Sequence, residues 1–434
     1  MRNLLLCLWV FLALDRLLAQ QPPPELTARQ AVEIALLANY DIQLAQDEAE
    51  IARLNNTRAN AGMLPVVNAV ANENFTLSTF QQKLANGNEF SELGAPFNNF
   101  NAGLQLSWTL FDGRRMQMTK RRLEAQEDLG RASLRNAVQA TCGAVLLGYY
   151  DIVRGGLQER ALAEVIVLNE ERLRIAEARL AAGFAAQTDV LQARIDLNQR
   201  RADLLNQQTA TRAAKRNLNR LLARQPDLAF EVEQALESNL NIERNRLIER
   251  IMASNPTLNV LQKNAEVAAL SVEEARRLNR PRITGLSQLN AQRTDNGAGF
   301  LLNNTQAGLT IGANLVLPIY TGGNLRRQRE TAQLVANQAN TRTNAQRLAV
   351  EAELDNLITF YATQRDILQL EEENVRVARE NFQVSTERFR LGVTNGLEPQ
   401  TAQNTLEQAL ARRNLVLFNL KSTEVQLRLL AGEL

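Results

Sequence analysis

Histidine is absent from the 434-residue chain. That removes the commonest general base near neutral pH and the commonest metal ligand, so His-dependent catalytic triads and zinc-protease helices are excluded. Cysteine occurs twice, at Cys7 and Cys142. Neither sign of charge dominates: 49 basic and 47 acidic residues leave a net charge of +2, which argues for no polyanionic partner such as nucleic acid. There is no phosphate-binding loop and no acidic cluster at metal-ligand spacing. The expectation is a protein with no catalytic, cofactor-binding or metal-binding residues, and an enzyme is the weakest reading. Beyond the N-terminal segment no run of about 18 apolar residues occurs, so no transmembrane helix is predicted. A β-barrel crossing stays open, because its strands betray themselves only by weak alternation.

The N-terminal segment MRNLLLCLWVFLALDRLLAQQPPPE has an early Arg2, an apolar run from Leu4 to Leu14 and a small residue at Ala19. It reads as a secretory signal peptide, cleaved after Ala19. Cys142 then remains as a lone cysteine in a packed helix, and no intrachain disulfide can form.

What the chain has in quantity is repetition. The stretch GLQLSWTLFDG, Gly103 to Gly113, nearly recurs as GANLVLPIYTGG, Gly312 to Gly323, with Phe111 matching Tyr320 at an offset of 209 residues. The offset holds without a gap through Arg179 and Arg388, Gly183 and Gly392, Leu197 and Leu406, and Leu221 and Leu430. Upstream it becomes 216, pairing Asn39 with Asn255 and Pro65 with Pro281. The first copy therefore holds seven extra residues, which fall most simply in a hairpin loop around NGNEFSELGAPFNNFN. Each copy reads as a helix (28–62, 246–279), a first strand (64–78, 281–292), a second strand, a long helix (114–182, 324–391), a glycine turn and a last helix. A helix of about 68 residues would reach roughly 100 Å, which no ordinary globular core needs. Its apolar residues fall three and four apart, as in coiled coils. The organisation predicted is a signal peptide 1–19, a first repeat 20–222, a linker 223–246 and a second repeat 247–434.

The second strands separate Leu104, Leu106, Trp108 and Leu110 from Gln105, Ser107 and Thr109, and Leu309, Ile311, Ala313, Leu315, Leu317 and Ile319 from Thr310, Gly312 and Asn314. One apolar and one polar face is what lipid outside and water inside require. Four strands are too few to close a barrel, so closure needs several chains. Phe111 and Tyr320 would then mark the membrane interface, and Gly113 and Gly322 the change from strand to helix.

In the order, duplication and spacing of these elements the sequence resembles the TolC-like outer-membrane efflux proteins. The matching stretches are ANYDIQLAQ and SNPTLNVLQ, LFDG and LPIYTGG, RLAAGFAAQTDVLQAR and RFRLGVTNGLEPQTAQ. The resemblance implies a mainly α fold with a β-barrel portion: duplicated coiled-coil hairpins plus four transmembrane strands per chain. It implies a homotrimer with a twelve-stranded barrel in outer-membrane lipid and a helical tunnel through the periplasm of a Gram-negative cell. The implied function is a passive exit duct of a tripartite efflux or type I secretion system, engaged by a periplasmic adaptor (membrane fusion protein) and an inner-membrane transporter. By the same resemblance Arg179, Gly183 and Phe184, with Arg388, Gly392 and Val393, form the turns offered to the adaptor, and Thr188, Asp189 and Glu398 lie at a closable aperture. Phe389, Thr394 and Thr401 depart from the family pattern, so a tip closed more by helix packing than by ion pairs is expected. The alternative role for the acids Asp189 and Glu398 is to cap the second helix of each hairpin, with Thr188 and Asp189 at its start, and the two roles are compatible. A periplasmic adaptor or a soluble coiled-coil scaffold is the alternative, although an adaptor has one hairpin rather than two, each preceded by a strand pair.

Overall fold

The computed structural model describes residues 25–434 apart from 237, 239, 241 and 300. The expected signal peptide, residues 1–19, lies outside the described residues. In chain order the elements are β1 (Glu25–Leu26), α1 (Ala28–Ala38), α2 (Tyr40–Asn55), β2 (Val66–Lys83), β3 (Glu89–Phe111), α3 (Arg115–Ala181) and α4 (Gln187–Leu221). They are followed by β4 (Glu231–Val232), α5 (Arg244–Ser254), α6 (Pro256–Ala275), β5 (Arg282–Asn296), β6 (Asn303–Val316), α7 (Asn324–Arg390) and α8 (Leu397–Ala431). The long helices α3 and α7 both have 67 residues, and α4 and α8 both have 35. Among the described residues no helix is long and apolar enough to cross a membrane. The chain forms two compact units, and each draws on both halves of the sequence.

The helical unit comprises residues up to 47, 133–259 and 345–434. Where one helix was expected before each first strand there are two. The chain breaks at Asn39 (ψ 131°) and at Asn255 (ψ 120°), both outside the helical region. Each asparagine is buried and bridges the start of the second helix to the end of a distant one. Asn39 Oδ1 accepts from the amides of Asp41 (2.8 Å) and Ile42 (3.2 Å), while its Nδ2 donates to Leu221 O (2.8 Å). Asn255 Oδ1 accepts from the Leu258 amide, and its Nδ2 donates to Leu430 O, both at 2.8 Å. The side chain thus caps the second helix and satisfies an orphan carbonyl at the end of another. Pro256 reinforces the second break, since the residue before a proline is pushed out of the helical region. The segment expected as a linker packs inward: β4 pairs in parallel with β1, and Phe230 and Val232 join Ala31, Ala35, Val145, Ile152 and Leu218 in one core cluster. A second cluster holds Val375, Phe382, Leu406 and Leu410 between α7 and α8, and a third joins Ile251 and Leu258 to Val350, Leu354, Leu427 and Leu430.

The strand unit, residues 48–132 and 260–344, holds an antiparallel sheet in the order β2-β3-β5-β6. The large loop expected around 86–101 is mostly strand. The turn occupies only residues 84–88, closed by Leu84 N donating to Asn88 O (2.8 Å), and the β2–β3 ladder runs on past the last pairing with β5. The seven extra residues lengthen a hairpin because extended residues satisfy their backbone groups across it. At the other end β6 stops at Val316, so Leu317, Ile319 and Tyr320 lie beyond the strand, whereas Phe111 is the last residue of β3. Pro318, which has no amide to donate, accounts for the difference.

The register sorts the side chains. Val67, Leu106, Ser287 and Ile311 form one cross-strand row, and Ala69, Leu104, Leu289 and Leu309 form the next. Asn68, Gln105, Gln288 and Thr310, then Asn72, Asn101, Gln292 and Gln306, form rows on the opposite face. The apolar face is open, with Leu309 63% and Ile311 76% exposed.

Candidate functional site

Two regions gather the residues singled out by sequence: the hairpin turns of the helical unit, and the strand-to-helix edge of the strand unit. At the turns, Gly183 (φ 78°) follows the end of α3 and Gly392 (φ 80°) the end of α7. Phe184 N donates to Arg179 O (2.8 Å) and Val393 N to Arg388 O (2.9 Å), the six-to-one bond that closes a helix through a left-handed residue. Phe184 and Val393 stand out from the turns, 76% and 66% exposed.

Arg179 ties the two turns together. Its guanidinium lies 4.6 Å from the centroid of the Phe389 ring and donates to Phe389 O (2.7 Å), Thr394 O (3.4 Å) and Phe184 O (3.1 Å). Phe389 is itself buried against Ile175, Ala176 and Val190. Glu398, in the first turn of α8, pairs with Arg388 at 3.2 Å. Thr188 is exposed and Asp189 half-buried in the first turn of α4. Neither supplies a cap: the N-cap positions are Ala186 and Gly396, with no side-chain cap bond at either. The Asp189 carboxylate has no hydrogen-bond or ion-pair partner among the described residues. It lines a cavity of about 250 Å³ with Arg172, Asp196, Phe389, Gly396 and Gln400.

Behind the turns lies a ladder of charges that sequence reasoning did not anticipate. Buried Arg172 pairs with Asp196, which also accepts from Gln192 and Gln400 (2.8 Å each). Arg200 bonds Glu407 (3.0 Å), Asp203 (3.1 Å) and Asn404 (3.0 Å), joining α4 to α8. Burial pushes the Glu407 carboxyl above its ordinary value; Arg200 opposes this and Asp203 adds to it. Arg412 donates to Glu371 (2.8 Å), and that bond holds the Glu371 carboxyl below its ordinary value. A signal existed for part of the ladder. Arg172 and Asp196, like Glu371 and Arg412, lie nearly equidistant from a turn glycine, as facing positions of an antiparallel helix pair must. Nothing comparable marks Arg200 and Glu407. Cys142 is buried and its thiol is pushed up by burial, as suits a packed side chain rather than a nucleophile.

At the strand-to-helix edge, Gly113 (φ 69°) turns the chain from β3 into α3, and a side chain there would collide with Arg280. Gly322 (φ 61°) does the same between β6 and α7, with open space around it. Asp112 is buried. Its Oδ2 accepts from Met116 N (2.9 Å), and Oδ1 has no partner. Trp108 Nε1 donates to Met63 O (3.0 Å), so the ring is half-exposed with its polar edge satisfied. Phe111 is 42% and Tyr320 88% exposed. Among the described residues no group of histidine, cysteine and carboxylate side chains could hold a metal ion.

The sequence profile of the family described as "Outer membrane efflux protein" matches residues 31–224 and 247–433. Nodulation protein T of Rhizobium leguminosarum bv. trifolii is 24% identical over 88% of this chain and 80% of its own. Pyoverdine export outer membrane protein OpmQ of Pseudomonas aeruginosa is 26% identical over 89% of this chain and 80% of its own. Among solved structures, the outer membrane protein VceC of Vibrio cholerae superposes with a TM-score of 0.76 at 17% identity, covering 93% of this chain and 96% of VceC.

Proposed function

Given that the chain belongs to the outer membrane efflux protein family, we propose that it is the exit duct of a tripartite export system. In this reading three copies assemble in the outer membrane and pass substrate from an inner-membrane pump, through a periplasmic adaptor, to the exterior. One observation carries it. The four-stranded sheet has two open edges, β2 and β6, an exposed apolar face and an opposite face of Asn, Gln and Thr. Left as a monomer in water, such a sheet exposes both a greasy face and unpaired strand edges. Lipid covers the face, and pairing β6 of one copy with β2 of the next removes the edges, twelve strands in all for three copies.

Two repeats, 20–222 and 247–434 joined by 223–246, then supply two strand pairs and two helical hairpins per copy. The exposed Phe184 and Val393 on the turns at Arg179, Gly183, Arg388 and Gly392 are the surface offered to the adaptor. Thr188, Asp189 and Glu398 are the polar groups nearest the aperture. Its closure rests on the packing of Phe389 and the Arg179 clasp, since Glu398 is already engaged by Arg388 within the chain.

The test is to separate inner and outer membranes and size the detergent-extracted protein. A trimer in the outer-membrane fraction is expected. A monomer in the soluble or inner-membrane fraction would return the helices to an adaptor or scaffold.

A further inference from the structure

The antiparallel register places all four strand-to-helix connections on one edge of the sheet: Val66 pairs with Ser107, Phe111 with Ile283 and Arg282 with Val316. Those connections together with the adjoining helix ends (53–65, 111–122, 276–282 and 317–329) hold 14 Arg and Lys residues and a single carboxylate, Asp112, in a chain whose totals are 49 basic and 47 acidic residues. Acids just outside them neutralise some of these charges, as Glu274 does Arg122 and Glu273 does Arg277. Arg58, Arg114, Arg121, Arg280, Arg282 and Arg329 have no carboxylate partner among the described residues. An excess of unpaired guanidinium groups on one edge is costly in self-repulsion unless an anion covers it.

The edge also contains a receptacle. A cavity of about 180 Å³ is lined by Asp112, Arg115, Arg277, Arg280 and Arg282, with Val316 and Pro318 as its apolar wall. Asp112 lies 3.7 Å from Arg115 and Glu273 pairs with Arg277 at 3.1 Å, so two of the four charges are offset within the chain and those of Arg280 and Arg282 are not. Guanidinium forks match the oxygen pairs of a phosphate. Beside them on the same edge, Trp108, Phe111, Ile319 and Tyr320 are 43%, 42%, 92% and 88% exposed. Cationic forks next to amphipathic rings and bare aliphatic surface suit a ligand that is an anion at one end and a hydrocarbon at the other. Free phosphate would use only the first half of that surface.

We propose that the Arg115–Arg277–Arg280–Arg282 cavity and its arginine rim bind the phosphate head group of an anionic phospholipid in the leaflet facing the periplasm. This rests on the reading of the strands as membrane-spanning. Head groups seated there fix the depth of the sheet in the bilayer and offset the repulsion among the arginines.

The experiment uses the full-length protein extracted in detergent, after its membrane fraction and native mass have been recorded. Native mass spectrometry then follows binding of phosphatidylglycerol, phosphatidylethanolamine and inorganic phosphate. Phosphatidylglycerol should bind preferentially. At roughly fivefold per charge, Arg280→Gln with Arg282→Gln should weaken it about 25-fold, while Arg390→Gln at a hairpin turn leaves it unchanged. Arg115→Gln, expected to lose roughly fivefold, serves if the double variant fails to assemble. An outer-membrane trimer that binds both lipids equally, or that loses phosphatidylglycerol to equimolar inorganic phosphate, overturns the lipid site and leaves the duct intact. Protein absent from the outer membrane removes both.

Discussion

Individual side chains in the helical unit are held by charge pairs of unequal burial, and pH separates them. Burial and the charge of Asp203 hold the Glu407 carboxyl above its ordinary value against the opposition of Arg200, so the folded chain takes up that proton more readily than the unfolded one. The associated stability is full below the unfolded carboxylate pKa, about 4.3, and is lost as pH rises through the raised folded value. Thermal scans of wild type and Glu407→Gln should therefore show the wild type losing ground steadily from about pH 4 upward. A difference that stays constant with pH would remove Glu407 from the account. Glu371 has the opposite sign. Its carboxyl is held low chiefly by the Arg412 bond, so its contribution is present above the unfolded pKa and fades as pH falls through the folded one.

At the scale of the element, the asparagine breaks and the glycine turns decide where helices start and stop. Asn39→Ala or Asn255→Ala removes a cap and leaves a carbonyl, Leu221 O or Leu430 O, without its partner. Each should cost about 1–3 kcal/mol, and the double variant should be close to additive because the two sites share no partner. Thermal melts of the extracted protein measure this. The two strand-to-helix glycines should differ. Gly322→Ala meets only the strain of a positive φ, about 1–2 kcal/mol. Gly113→Ala meets that strain and the Arg280 side chain as well, so it should reduce the yield of assembled protein in the outer membrane far more than Gly322→Ala does. Equal yields would show that Arg280 moves aside freely.

For the whole molecule, the packing of Phe389 and the Arg179 clasp predicts how the aperture of the proposed duct responds to charge. Asp189 is unpaired among the described residues and lines a cavity beside the turns. If the turns of three copies converge, three such carboxylates favour cations there without holding the copies together. Asp189→Asn should lower cation selectivity severalfold in planar-bilayer recordings while the resting conductance stays close to wild type. A large rise in basal conductance would mean that Asp189 is itself part of the closure.

Much of this was legible in the chain. The absence of histidine, the 209-residue offset, the alternation of Leu104 to Leu110 and the glycines at 183 and 392 are local or periodic features, and local features are what a sequence states directly. The lengths of α3 and α7 came out within a residue or two at each end because glycines and strand ends punctuate them. Other features depended on the partner of a group, and a partner distant in sequence leaves no local mark. Asn39 looked like a residue inside one helix until Leu221 O appeared as the acceptor for its amide. Residues 89–101 looked like a loop until the long β2 ladder offered them backbone bonds. The arginines at 115, 277, 280 and 282 are scattered in the sequence, and only the antiparallel register of four strands collects them around one cavity. Sequence by itself determined the long helices, the duplication and the family. Tertiary structure decided which buried polar groups face each other, because hydrogen bonds and ion pairs act over a few ångströms of space, whatever their separation along the chain.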